Sequence, residues 1–222
     1  MKNQLQFIPA FAFPAAALTS ITALALLAGG CGEPPSSAPS AAGAHHLYVG
    51  LDTSGSWRPY LGVSASLCAQ QAVGLNPDRD KLTLFRMDSS TREFSNGSAP
   101  ESTEQIQQVI VAEVNSTSAT RGTFPARFWA AAAERAESDS GPVTVEAFSD
   151  GDNDDLSAKS LSAMKAAARR LAVNPHVSGV YIFGAEPRNW AILRGEFAPL
   201  GNRLHLISPP ELTADRVAAA LP

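Results

Sequence analysis

Two short segments of the chain combine carboxylates and hydroxyls at spacings that suit a metal ion. Residues 52–56 read Asp-Thr-Ser-Gly-Ser, and residues 149–152 read Ser-Asp-Gly-Asp. Side chains two residues apart point the same way in an extended loop, so Asp52, Ser54 and Ser56 should converge, and Gly55 allows a tight backbone turn. Hard oxygen donors of this kind suit Mg²⁺ or Mn²⁺, with Ca²⁺ a further candidate, and the lack of nearby Cys or His pairs argues against zinc.

Both segments follow apolar runs that predict β-strands, at 47–51 and 143–148. Similar runs alternate with helical patterns along the chain, which is typical of βα units and a largely parallel sheet. We predict further strands at 81–87, 177–183 and 204–207, with 91–95 as a hairpin partner at a sheet edge. We predict helices at 60–73, 101–113, 125–137, 156–173, 190–197 and 211–221.

These elements predict an α/β fold with a doubly wound, mostly parallel central sheet, helices on both faces and one antiparallel edge strand. Most of the strand runs are apolar nearly throughout, as expected for strands covered on both faces. The helix at 156–173 has the clearest pattern, with Leu156, Met164, Ala168 and Leu171 on one stripe. Ligands of open α/β sheets bind beyond the carboxyl ends of the strands, so the two acidic segments should meet there.

The motifs resemble the metal-ion-dependent adhesion site (MIDAS) of von Willebrand factor type A (vWA) domains. Asp52, Ser54 and Ser56 match the family's Asp-x-Ser-x-Ser motif at the end of the first strand. Thr123, on a loop before a predicted helix, matches the family's threonine, and Asp150 matches the aspartate that ends a central strand. The resemblance covers residues 45–222. It implies a Rossmann-like fold, these five residues as metal ligands, and a protein ligand whose acidic side chain completes the coordination.

Each of these residues also has a plainer interpretation. Thr123 fits equally well as the N-cap of a helix with Pro125 in its first turn. Ser54 and Ser56 are common turn residues, and Asp155 is best interpreted as an N-cap of the helix at 156–173.

Other residues lie close to the two segments in the sequence. Asp152 and Asp154 fit a solvated acidic rim, with a role in ligand choice as the alternative. Trp57 is a candidate rim contact, although packing beside the site is the simpler interpretation. His45 and His46 are interpreted as incidental residues rather than metal ligands.

Competing motifs do not fit. The segment beginning at Asp150 starts like an EF-hand calcium loop, but Asp155 replaces the glycine at position six and Leu161 replaces the glutamate at position twelve. No phosphate-binding loop and no Gly-x-Ser-x-Gly elbow is present in the sequence. Neither acidic segment contains a His or Lys to act as an acid or base beside a metal. The sequence therefore favours a protein that is not an enzyme.

The first thirty residues predict an export signal, because Lys2 is their only charge and an apolar run leads to Cys31. The ending resembles the lipobox of bacterial lipoproteins, which implies lipid attachment at Cys31. Residues 31–44 then form a Pro/Ser/Ala-rich tether, and 45–222 form the vWA-like domain. The resemblance implies a domain held on the extracytoplasmic side of the membrane. Gly32 favours the outer membrane if the cell is Gram-negative.

Composition agrees with one globular domain, since 45% of the residues are hydrophobic and 17% are charged. The formal charge is −4 and becomes −5 when residues 1–30, which contain one lysine and no acid, are removed. The sequence has no basic stripe, which argues against nucleic acid as a partner. With Cys31 lipidated, Cys68 has no cysteine partner, and we predict it is packed in the first helix.

The sequence therefore predicts a monomeric, membrane-tethered module that binds a protein ligand through a divalent metal. The alternative is a scaffold subunit of a cell-envelope assembly, in which the metal site is structural or empty. A metal-assisted hydrolase is the third and weakest hypothesis.

Overall fold

A mixed sheet forms the centre of the domain. The structure is a computed structural model that describes residues 43–89, 91–116 and 122–219. Within these residues the strands β1 to β6 are His46–Asp52, Lys81–Met87, Arg92–Ser98, Val143–Phe148, Val177–Phe183 and Leu204–Ile207. Neighbouring strands are parallel except at the edge, where β3 runs antiparallel to β2.

The order of the strands creates a crevice at one place along the sheet. The order is β3-β2-β1-β4-β5-β6, so the chain builds outward from β1 in one direction and then crosses to its other side. The reversal lies between β1 and β4. Loops leaving the carboxyl ends of these two strands diverge, and this is where open α/β sheets bind ligands.

Helices cover both faces of the sheet. In chain order α1 to α6 are Leu61–Ala72, Thr103–Ser116, Ala126–Ala136, Ala158–Val173, Trp190–Glu196 and Ala214–Ala218. One buried cluster joins the sheet to α3, α4 and α5, and the other joins it to α1, α2 and α6. The predicted fold class is therefore confirmed, including the antiparallel edge strand.

The centre of the sheet is packed closely enough to select residue size. A Cβ atom at Gly50, in the middle of β1, would lie 2.7 Å from Met87 Sδ and 2.9 Å from the Phe128 ring. Glycine therefore lets α3 approach the sheet beside the crevice. Cys68 in α1 is fully buried, as predicted for a small apolar residue, and burial raises its pKa.

The helix at 156–173 begins later than predicted. It starts at Ala158, and the N-cap is Ser157, whose side chain accepts a hydrogen bond from the Ser160 N–H. The predictions of Asp155 as N-cap and of Leu156 as part of the buried stripe are therefore wrong. Leu156 is 73% exposed, whereas Met164, Ala168 and Leu171 are buried as predicted.

The predictions for the amino-terminal region fall outside the described residues. These are the signal peptide at 1–30, lipid attachment at Cys31 and almost all of the tether. In the part of the chain that the structure describes, no helix is both long enough and apolar enough to cross a membrane.

Candidate metal centre

Parallel pairing of β1 with β4 brings the two acidic segments side by side. Leu51 pairs with Phe148, so Asp52 at the end of β1 lies next to Ser149, the first residue after β4. Both segments leave the sheet at the crevice described above. The structure thus places them at one site, as the sequence predicted.

The Asp52 carboxylate is the centre of this site. It is fully buried and accepts hydrogen bonds from the Ser54 N–H at 2.9 Å and from the Ser149 hydroxyl at 2.7 Å. The Thr123 hydroxyl lies 3.3 Å and 3.2 Å from its two oxygens. The hydroxyl oxygens of Ser54 and Ser56 are 3.2 Å apart. One carboxylate and several hydroxyls therefore converge, which is the donor set that hard cations prefer.

Thr123 belongs to this cluster and does not cap a helix. The N-cap of α3 is Pro125, with no side-chain capping hydrogen bond, while the Thr123 hydroxyl donates to Asp52. Its backbone is held by Asp154, whose carboxylate accepts the Thr123 N–H at 2.7 Å and whose own N–H donates to the Thr123 carbonyl at 3.0 Å. Asp154 thus positions Thr123 toward Asp52.

Asp150 supplies a second carboxylate, which is 5% exposed. The loop that carries it is fixed on both sides. The Asp150 side chain accepts the Asp152 N–H at 3.0 Å, and its carbonyl accepts the Glu186 N–H at 2.9 Å and the Asn189 side-chain amide at 3.0 Å.

The carboxylates of Asp52 and Asp150 set the electrostatics of the site. Burial raises the pKa of Asp52 to about 6; hydrogen bonds from Ser54 and Ser149 act against this shift, and the charge of Asp150 adds to it. Among the described residues, no Lys, Arg or His forms an ion pair with Asp52 or Asp150. Buried charges are ordinarily paired or bound to a metal, so this pair of carboxylates fits a cation.

The chemistry of the donors also narrows the class of site. Across the described residues, no group of three or more His, Cys, Asp or Glu side chains could hold a metal. A metal here would therefore depend on the hydroxyls of Ser54, Ser56 and Thr123 as well as on carboxylates. This composition fits a divalent cation held by oxygen donors and does not resemble the Cys/His sets of structural zinc sites.

Sequence reasoning missed two residues that shape the site. Ser149 makes the shortest hydrogen bond to Asp52, at 2.7 Å, and its place directly after a strand and beside Asp150 is the signal that could have found it. Asp88 accepts a hydrogen bond from the Thr53 hydroxyl at 3.0 Å and forms an ion pair with Arg86 at 2.8 Å. It fixes the residue after Asp52 from the neighbouring strand, which no local motif could reveal.

The structure supports packing beside the site as the interpretation of Trp57, in place of a rim contact, and it gives Asp152 partners within the domain. Trp57 is 1% exposed, and its indole N–H donates to Ser64 at 3.2 Å, so it packs beside the site and does not form a surface contact. Asp152 is half-buried and is bound by Arg188 at 3.0 Å and by the Asn189 amide at 2.7 Å. It therefore has partners within the domain.

His45 and His46 lie at the start of β1, at the opposite end of the strands from the site. Both are buried; His45 Nε2 is 3.0 Å from the Thr144 hydroxyl, and His46 Nε2 is 2.8 Å from the Thr83 hydroxyl. Burial lowers the pKa of each. They hold the start of β1 and take no part in the site.

Comparisons with known proteins give structural neighbours only. No protein-family profile matches the chain, and no curated protein matches it. A von Willebrand factor type A protein from Catenulispora acidiphila is 16% identical with a TM-score of 0.59, covering 81% of this chain and 43% of that one. Manganese-loaded TRAP protein from Plasmodium vivax is 15% identical with a TM-score of 0.56, covering 81% and 72%.

A third neighbour is proximal thread matrix protein 1 from the mussel byssus, with a zinc-occupied MIDAS motif. It is 14% identical with a TM-score of 0.55, covering 81% of this chain and 46% of that one. The chain thus spans less than half the length of two of these three proteins. At such low identities the likeness concerns the fold, and the strand order and helix layers described above agree with it. The described domain has the fold of von Willebrand factor type A domains.

Proposed function

We propose that this domain binds a divalent metal through Asp52, Ser54, Ser56, Thr123 and Asp150, and that the metal holds an acidic group of a protein ligand. The observation that carries the proposal is a buried pair of carboxylates, surrounded by hydroxyls, to which no Lys, Arg or His of the described residues is ion-paired. The manganese-loaded and zinc-occupied neighbours of the same fold support it.

The neutral donors explain why such a site would serve recognition. Three of the five proposed ligands are hydroxyls, so a bound Mg²⁺ or Mn²⁺ would keep residual positive charge and could accept a carboxylate from a partner. Asp154 and Asp88 would hold the two loops in place, as residues behind metal ligands commonly do.

We further propose that the domain acts as a monomer outside the cytoplasm, held to the membrane by a lipid on Cys31. The apolar run that leads to Cys31 and the Pro/Ser/Ala-rich segment after it support this placement.

The experiment is a calorimetric titration of the purified domain with Mn²⁺ and with Mg²⁺. We expect Mn²⁺ to bind more tightly than Mg²⁺, because affinity at a given oxygen site generally rises in that direction. Asp52→Asn and Asp150→Asn should abolish binding, and Thr123→Ala should weaken it less, because it removes a neutral donor. Asp78→Asn is the matched control, since it removes the same charge from an exposed loop before β2. Equal Mn²⁺ affinity in Asp52→Asn and Asp78→Asn would refute the metal site.

Ligand capture then tests the role of the metal. The wild-type domain, immobilised as bait in an envelope extract, should retain its ligand in Mg²⁺ and lose it in EDTA. The Asp52→Asn bait should fail in both conditions. If the ligand is retained in EDTA and by the Asp52→Asn bait as well as by the wild-type bait in Mg²⁺, the adhesion-type function is refuted. The scaffold hypothesis then replaces it.

A further inference from the structure

An apolar cavity lies beside the candidate metal centre. It has a volume of about 260 Å³ and sits between the sheet and helices α3, α4 and α5. Its inner wall includes Trp129, Met164, Ile182 and Leu193. All four side chains belong to the buried core on this face, so the cavity is a gap in an otherwise close-packed layer.

The cavity shares its wall with the two loops of the metal centre. Ser149 and Gly151, which flank Asp150, both line it, and so does Pro125, two residues after Thr123. Ser149 also donates to Asp52. A ligand group bound at Asp52 and Asp150 is therefore adjacent to the cavity, and one ligand segment can reach both.

The rim of the cavity exposes large apolar side chains. Leu156 and Ile192 both line it and are 73% and 62% exposed. The late start of α4 leaves Leu156 in a loop at this rim. Apolar surface concentrated at the mouth of a cavity is a common mark of a binding site.

Size and charge determine what can enter. Pockets that enclose a whole drug-sized ligand measure roughly 300–1,000 Å³, so this smaller cavity suits one large apolar side chain. Its lining also includes two acids, Asp152 and Glu196. Burial raises the pKa of Glu196, against a smaller opposite effect of Lys165. An anionic group is disfavoured here, so the carboxylate of a ligand would go to the metal centre and the apolar group would enter the cavity.

We infer that the ligand is a protein segment with two adjacent features, a carboxylate that binds at the metal centre and a large aromatic or aliphatic side chain that fills this cavity. The inference rests on the proposed function, because it takes the metal centre as the first anchor. It adds a second anchor, which would select among acidic segments by their apolar neighbour.

The test uses phenylalkanoates as probes, titrated by NMR into the labelled domain in Mg²⁺. Phenylacetate, phenylpropionate, phenylbutyrate and phenylvalerate vary the distance between carboxylate and ring. Butyrate lacks the ring, and phenylbutanol lacks the charge. We expect the best phenylalkanoate to bind about tenfold or more tightly than butyrate, because burying a Phe-sized side chain is worth at least about one tenfold step in affinity. It should also bind more tightly than phenylbutanol, which has no carboxylate to bind at the metal centre.

Variants locate the two anchors. Leu156→Asp and Ile192→Asp change exposed side chains, so the fold should survive. Each should remove most of the affinity that the phenylalkanoate gains over butyrate. Val111→Asp, at a 51% exposed residue of α2 away from the cavity, is the matched control and should leave it unchanged. EDTA and Asp52→Asn should remove the affinity that the phenylalkanoate gains over phenylbutanol.

The outcomes separate this inference from the proposed function. If Mg²⁺ binds but no phenylalkanoate exceeds butyrate, or if Ile192→Asp and Leu156→Asp behave like Val111→Asp, the second anchor is refuted and the metal site stands. If Mg²⁺ itself does not bind in calorimetry, both proposals fail.

Discussion

At the scale of single residues, the site depends on groups that act through their neighbours. The Asp154 carboxylate accepts a hydrogen bond from the Thr123 N–H at 2.7 Å, and Asp154 is not one of the proposed metal ligands. Asp154→Asn should weaken Mn²⁺ binding by about 10- to 100-fold, the usual effect of removing a residue that orients a metal ligand. The measurement is the same calorimetric titration.

Asp155→Asn is the control for this prediction. It lies in the same loop and carries the same charge, but its side chain accepts the Ser157 N–H at 3.1 Å, at the start of α4. If both variants lower Mn²⁺ affinity equally, the effect is one of overall charge, and the positioning role of Asp154 is excluded.

A second residue-scale prediction concerns Glu146, which is fully buried in β4 away from the site. Gln71 donates to its Oε1 at 2.5 Å, and among the described residues nothing hydrogen-bonds to its Oε2. Burial raises the pKa of Glu146 from its ordinary value of 4.5 to about 8, although the hydrogen bond from Gln71 opposes the shift. The folded protein therefore keeps the Glu146 proton at pH values where the unfolded chain has lost it.

The sign of the pH dependence follows from this difference. Between pH 4.5 and about 8, unfolding releases the Glu146 proton, so the free energy of unfolding falls as pH rises, by at most about 1.4 kcal/mol per pH unit. Glu146→Gln is uncharged in both states and lacks this contribution. Urea denaturation across this range should show the variant gaining stability relative to wild type as pH rises. Parallel curves for the two proteins would contradict the prediction.

At the scale of secondary-structure elements, strands were predicted more accurately than the loops that carry the site. The strands Lys81–Met87, Val143–Phe148, Val177–Phe183 and Leu204–Ile207 have the predicted bounds, because each is a short apolar run between turn residues. Helix α4 was predicted two residues too early. Its stripe of apolar residues gave no sign of where the preceding loop ends.

Asx turns explain that error. The side chains of Asp150, Asn153 and Asp155 each accept the N–H two residues ahead, at 3.0–3.1 Å. Such bonds compete with helical hydrogen bonds and keep the segment extended until Ser157 caps α4. The acidic loop and the exposed position of Leu156 are therefore consequences of the same local chemistry.

Long-range packing accounts for what local pattern could not predict in the site. Trp57 follows Ser56 in the sequence, which left a rim contact and packing beside the site as its two interpretations; its ring packs against Gly184, directly after β5. Ser149 and Asp88 contact residues that are distant in sequence. The five motif positions could be chosen from the sequence because their spacing matched a known pattern, whereas these contacts arise only when the strands pair.

The contact between Trp57 and Gly184 gives an element-scale prediction. Gly184 has a φ of 90°, and a Cβ there would overlap the Trp57 ring. Gly184→Ala should destabilise the domain by at least about 1–3 kcal/mol, the cost of the backbone conformation alone. Gly195→Ala is the control, because Gly195 lies in α5 with open space around it and should gain up to about 1 kcal/mol. Equal melting temperatures for the two variants would contradict this packing.

At the scale of the whole molecule, the proposed anchor determines where the binding site would work. Cys31→Ser should release the protein from the membrane fraction or block its processing in a bacterial host. Cys68→Ser is the matched control, because Cys68 is the only other cysteine and is buried in α1. Unchanged partition of Cys31→Ser, with no lipid mass on the mature amino terminus, would refute the anchor.

The central claim concerns a cation at the ends of β1 and β4. The most direct measurement is anomalous X-ray diffraction from crystals of the domain grown with Mn²⁺. The account predicts a manganese peak bounded by the side chains of Asp52, Ser54, Ser56, Thr123 and Asp150, and no such peak in crystals of Asp52→Asn. A wild-type map with no manganese at this position, or with manganese bound elsewhere on the domain, would contradict it.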